Sequence, residues 1–154
     1  MSLIEQQPIT DNTQYVILAC RFYPELTAEL ISSARDTLLE SKISSDNISL
    51  VDVAGAWELP VTASKLLATK KNIKAIIVVG AVIKGETTHF EHVATGATTG
   101  LQQVAIKYNI PISLGLITAN NYEQAQSRAG GEHSNQGAVA AQSALEMVEL
   151  FSNI

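Results

Sequence analysis

The chain is poor in aromatic residues, cysteine and positive charge, and each shortage excludes something. A single cysteine, Cys20, rules out an internal disulfide. It ends the apolar stretch 15–20, where it reads as a small buried residue rather than a nucleophile. Ten Lys and Arg against 15 Asp and Glu leave a formal charge of −5, which disfavours nucleic acid as a partner. The one basic cluster, Lys70, Lys71 and Lys74, falls where a helix should end and there complements the helix dipole. No apolar run reaches the ~18 residues a membrane span needs, so no membrane partner is expected. The opening MSLIEQQPITDNTQ lacks the basic and apolar regions of a signal peptide, so the expected location is cytoplasmic. With aromatics at only 5%, Ala, Val, Ile and Leu must build the core, and helices and sheet can approach closely.

What is present is enough for one globular domain over residues 1–154, with 46% hydrophobic and 16% charged residues. Strand and helix signals alternate. Strands are expected at 15–20, 48–53, 75–82 and 112–117. Helices are expected at about 24–41, 57–69, 89–108, 122–129 and 136–151. Pro24 suits a first helical turn, while Asn109 and Pro111 suit a helix end. Repetition of this kind argues a parallel sheet covered on both faces, an α/β fold. Residues 1–12 read as an arm that stays off the core, with Pro8 limiting any strand there to an edge. Ala94, Gly96, Ala97 and Gly100 make one side of the third helix unusually small. That side suits a tight contact between subunits or within one.

The most informative stretch is AIIVVGAVIKGETTHF, residues 75–90. An apolar run interrupted only by Gly80 delivers a Lys-Gly-Glu-Thr-Thr-His turn to a helix start. Open α/β sheets bind ligands at that edge. Gly85 allows a tight turn, and the N–H groups of Glu86, Thr87 and Thr88 could hold an anion. Thr87 or Thr88 could equally be a plain helix cap. The pattern is not a Walker A loop, because Lys84 precedes the glycine. His89 and His92 sit near Glu86 and Glu91, but no third metal ligand is evident and no metal site is expected. His89 is the better candidate for chemistry, with His92 incidental and His133 in a polar loop. Glu58 opens a helix, where a carboxylate favours the dipole. Its neighbours Trp57 and Phe22 would also make an aromatic face beside a carboxylate, suited to a flat hydroxylated ligand.

Five blocks carry a further signal: RFY at 21–23, VAGAWELP at 53–60, GAVIKGETTHF at 80–90, EQAQSRAGG at 123–131 and NQGAVAAQSALEM at 135–147. In this order and spacing they resemble the 6,7-dimethyl-8-ribityllumazine synthase family of riboflavin biosynthesis, over about residues 13–152. The resemblance implies a three-layer α/β/α sandwich with a four-stranded parallel sheet, flavodoxin-like. It also implies a homo-oligomer, a pentamer or an assembly of pentamers up to an icosahedral capsid, with active sites between subunits. The implied reaction condenses two small-molecule substrates, 5-amino-6-(D-ribitylamino)uracil and 3,4-dihydroxy-2-butanone 4-phosphate, with no cofactor. Riboflavin synthase is an implied partner.

Position by position, the resemblance makes Phe22 the ring that stacks on the pyrimidine. Ala56, Trp57 and Glu58 hold the ribityl chain. Ala81, Val82 and Ile83 supply backbone to the pyrimidine edge, and Glu86 and Thr87 form the phosphate turn. His89 is the proton donor, and Leu114 and Arg128 come from the neighbouring subunit. The chain departs from the family pattern at Tyr23, Glu86, Leu114 and Gln136, where Asn, a small residue, an aromatic and Lys are common. Two other readings on a related fold compete: a flavin carrier and a shell-forming relative without catalysis. The first would want a hydroxyl-rich loop after strand one, where Arg-Phe-Tyr-Pro stands. A signalling receiver would need an Asp at the end of strand three, where Val82 and Ile83 stand.

Overall fold

A computed structural model describes residues 7–130 and 134–154. His133 and residues 1–6 of the expected arm lie outside them. Four parallel strands, β1 (Tyr15–Cys20), β2 (Ile48–Val53), β3 (Ala75–Ile83) and β4 (Ile112–Ala119), form one sheet in the order β2-β1-β3-β4. Five helices complete it: α1 (Pro24–Glu40), α2 (Leu59–Thr69), α3 (His89–Tyr108), α4 (Tyr122–Ser127) and α5 (Gln136–Ser152). This is the expected three-layer α/β/α sandwich with flavodoxin-like strand order.

Period-two alternation sorts the strands between two cores. Tyr15, Ile17 and Ala19 of β1, with Ala75, Ile77, Val79 and Ala81 of β3, face the side that carries α1 and α5. Val16, Leu18 and Cys20, with Ile76, Val78 and Val82, face α2 and α3. A strand buried on both faces has no polar alternation, which is why β3 reads as an unbroken apolar run. Gly80 interrupts it for a steric reason. Its φ is +143°, and an added Cβ would stand 2.2 Å from Cys20 Sγ. The expected burial of Cys20 holds, and desolvation pushes its thiol pKa up to about 11.

The helices form for local reasons. Pro24 sits in the first turn of α1, and Leu26, Leu30, Ala34 and Leu38 recur every fourth residue on its buried face. Thr27 Oγ1 donates to the carbonyl of Cys20 at 2.8 Å, tying α1 to the end of β1. α3 stops at Asn109, which takes the left-handed conformation at φ 52°. One expectation changes. The arm does reach the core from Gln7 on: Gln7 bridges antiparallel to Leu50, Ile9 packs on the α2/α3 side, and Ser49 Oγ donates to Pro8 O at 3.0 Å. This segment covers the free edge of β2, where a proline is tolerated. The small side of α3 also packs within the chain, with Gly96 against Trp57 and Gly100 against Pro60.

Candidate active site

Three strand ends meet at the carboxyl edge of the sheet, on either side of the point between β1 and β3 where the strand order reverses. Such switch points open a crevice. At the end of β1, Arg21 Nη1 pairs with Asp52 Oδ2 of β2 at 2.7 Å. With the arginine stapled to its neighbour strand, Phe22 projects outward, 69% exposed. It meets Tyr23 edge-on at 5.0 Å between centroids, and Tyr23 meets Tyr122 of α4 at 6.3 Å.

After β2 the chain makes a short 3-10 turn, Ala56–Glu58, before α2 begins. Pro60 lies in the first turn of α2, where its missing N–H is no loss. The Glu58 carboxylate folds back, and Oε2 accepts from Gly55 N at 3.1 Å. Its Oε1 makes no hydrogen bond among the described residues. Capping and ligand binding are therefore compatible at this residue. After β3, the His89 N–H donates to Thr87 Oγ1 at 3.3 Å, a long bond, and Thr88 gives α3 no side-chain cap. The first turn of α3 thus retains donor capacity for an anion.

These segments enclose a cavity of about 820 Å3. Its aromatic and carboxylate groups are Phe22, Tyr23, Trp57 and Glu58. The strand end and turn add Val82, Ile83, Gly85 and Thr87, and α3 adds His89, Phe90, His92 and Val93. The volume lies within the roughly 300–1,000 Å3 usual for small-molecule sites. Among the described residues no group of three or more His, Cys, Asp or Glu is placed to hold a metal ion.

The cavity combines four aromatic side chains, a carboxylate and two histidines near the start of α3. Residues 12–152 match the family model for 6,7-dimethyl-8-ribityllumazine synthase. The chain belongs to that family. It is 39% identical to the 6,7-dimethyl-8-ribityllumazine synthase of Gemmatimonas aurantiaca, over 98% of this chain and 92% of that protein. Against the enzyme of the same name from Aquifex aeolicus it is 38% identical, over 100% of this chain and 99% of that one. For Stenotrophomonas maltophilia K279a the figures are 38% identity over 94% of this chain and 92% of that protein.

The lumazine synthase residues expected from the sequence divide into two groups. Phe22, Ala56, Trp57, Glu58, Val82, Ile83, Thr87 and His89 line the one cavity. Ala81, Glu86, Leu114 and Arg128 do not. Ala81 points into the α1/α5 core, so only its backbone faces this edge. Glu86 is exposed and is not among the residues that line the cavity. Leu114 lies on the outer strand β4, 52% exposed. Arg128 is the C-cap residue of α4, its Nη1 donating to Gln124 O at 3.1 Å and to Ser127 Oγ at 3.3 Å. The lining also holds residues not singled out beforehand: Ala54, Phe90 and Val93. His92, expected to be incidental, lines it too. Its spacing of three from His89 was the available signal, because residues three apart share a helix face.

Proposed function

We propose that this chain condenses 5-amino-6-(D-ribitylamino)uracil with 3,4-dihydroxy-2-butanone 4-phosphate, releasing 6,7-dimethyl-8-ribityllumazine, phosphate and water. The observation that carries this reading is the convergence of Phe22, Trp57, Glu58, Thr87 and His89 on one cavity in a chain of this family. The pyrimidine stacks on Phe22, and its edge meets the backbone of residues 81–83. The ribityl hydroxyls donate to Glu58, whose Oε1 is open. The phosphate of the second substrate sits at the Gly85–Thr87 turn, facing the start of α3.

No strong protein nucleophile is required, because an aromatic amine attacks a ketone. Holding the two reactants together can lower the barrier by up to ~7–11 kcal/mol. His89 carries protons during imine formation and phosphate loss, a role worth ~10²–10⁴-fold. Arg128 supplies the charge-assisted fork to the phosphate. It lies outside its own chain's cavity, as does Leu114, which supports the reading that both act on the cavity of a neighbouring subunit. This division supports a homo-oligomer, a pentamer or an assembly of pentamers, with the exposed Phe22 and Trp57 at or near the seam. No helix among the described residues is long and apolar enough to cross a membrane, and a cytoplasmic setting agrees with the acidic, disulfide-free chain.

The test is direct. The purified protein is mixed with both substrates and lumazine absorbance is followed. Formation of lumazine at a rate well above the buffer reaction is expected. A rate equal to buffer would favour a shell-forming relative without catalysis.

A further inference from the structure

Trp57 is the only tryptophan in the chain, and it lines the cavity while 63% exposed. A side chain so exposed has few contacts to hold its torsions. One surface does hold it. A Cβ added at Gly96 of α3 would stand 2.4 Å from Cζ3, 3.2 Å from Cε3 and 3.3 Å from Cη2 of the Trp57 ring. The benzo edge of the indole therefore rests on the bare backbone of α3. Glycine inside a helix costs about 1 kcal/mol relative to alanine, so its presence mid-helix asks for a packing reason. The Trp57 contact is such a reason.

We infer that Gly96 is a positioning residue. It seats the indole of Trp57 in the orientation that makes it a wall of the pyrimidine-and-ribityl end of the cavity. The inference rests on the substrate reading above and deepens it. Gly100, one turn along α3, provides the contrast. A Cβ there would meet Pro60 Cβ and Cγ, both at 2.8 Å. A proline ring cannot swing aside, so a side chain at 100 must part the two helices. An indole on an exposed turn can rotate, so a side chain at 96 displaces Trp57 and leaves the helices in place.

Gly96→Ala and Gly100→Ala are compared with the wild type in the full-length protein. Four quantities are read: Trp57 emission, its quenching by 5-amino-6-(D-ribitylamino)uracil, both Michaelis constants with kcat, and the thermal midpoint. Gly96→Ala is expected to change the emission before substrate is added. It should raise the pyrimidine KM roughly 3- to 10-fold, the weight of one aromatic contact. The KM for the butanone phosphate and kcat should stay within about twofold, and the midpoint should not fall. Gly100→Ala should lower the midpoint and leave the emission and the pyrimidine KM unchanged. In a Trp57→Ala background, Gly96→Ala should add nothing to the pyrimidine KM, because the group it positions is gone. The assignment is overturned if Gly96→Ala leaves emission or the pyrimidine KM unchanged. It is also overturned if Gly100→Ala reproduces the pyrimidine effect, or if the two substitutions are additive at positions 57 and 96. Quenching that is equal in wild type and Gly96→Ala sinks the assignment alone. A wild type that shows neither quenching nor lumazine sinks the substrate reading, and the assignment with it.

Discussion

Burial holds the Cys20 thiol at a pKa of about 11, whereas an ordinary thiol ionises near 8.5. Above about pH 8.5 the unfolded chain sheds this proton first, so the folded state holds more protons. Stability present below that pH is then lost as pH rises towards 11, by on the order of 2–3 kcal/mol. Burial raises Tyr15 as well, in the same direction, so the wild-type slope alone does not isolate the cysteine. Cys20→Ala should therefore lose less thermal midpoint than wild type between pH 8.5 and pH 11 (roughly the span of the thiol's shift), and parallel curves would contradict the assignment. At the site, His89→Ala should lower kcat by about 10²-fold or more while pyrimidine binding stays near wild type. Equal rates across pH would remove His89 from proton transfer. Arg128→Ala should act on the other substrate, raising the butanone phosphate KM at least ~10-fold, since a charge-assisted fork is lost. An unchanged KM would place the phosphate elsewhere.

Several elements of this chain, which has only 5% aromatics, meet through bare backbone at glycines. The start of α5 is the tightest case. A Cβ at Gly137 would stand 2.1 Å from the Leu30 carbonyl oxygen of α1 and 2.8 Å from its carbon. No rotamer relieves a backbone clash, so Gly137→Ala must push α5 off α1. Overpacking of this kind costs about 1–3 kcal/mol, which outweighs the ~1 kcal/mol that alanine gains in helix propensity. A lower urea midpoint is expected, and an unchanged one would mean that the two helices have slack. Such contacts also mark what the sequence could and could not convey. Apolar runs, Pro24 and Asn109 made the elements legible, and β1, β2 and α3 fall where the pattern puts them. A small-residue stripe, however, carries no address: Gly96 and Gly100 suit a neighbouring subunit as well as the 3-10 turn and the α2 that they respectively face. The helix expected from Trp57 begins only at Leu59, because Pro60 takes the first turn and Glu58 folds back onto Gly55. His92 enters the cavity because it lies three residues from His89 on one face of α3, a spacing the sequence already displays.

The proposed site takes two chains to complete. Val61 and Ile106 are 69% and 67% exposed, besides Phe22 and Trp57 at the cavity. Such side chains are available to the subunit contact proposed above. The proposed site also divides its work: His89 lies in one chain's cavity, while Arg128 lies outside it. In a ring built from head-to-tail interfaces, each cavity would meet the α4 of the next subunit. This arrangement predicts complementation. His89→Ala subunits keep a working Arg128, and Arg128→Ala subunits keep a working His89. Each homo-oligomer is impaired at limiting butanone phosphate. Co-assembled at equal ratio, a random ring places an intact His89 beside an intact Arg128 at about a quarter of its interfaces. Activity of the mixture should therefore climb towards about a quarter of wild type, well above either parent. Mixing the folded oligomers without subunit exchange should give no gain. If mixed rings form by mass spectrometry and activity stays at the average of the parents, both residues act within one chain. Arg128 would then have to leave Gln124 and Ser127 and swing into its own cavity, a movement that spectra of a labelled α4 would detect.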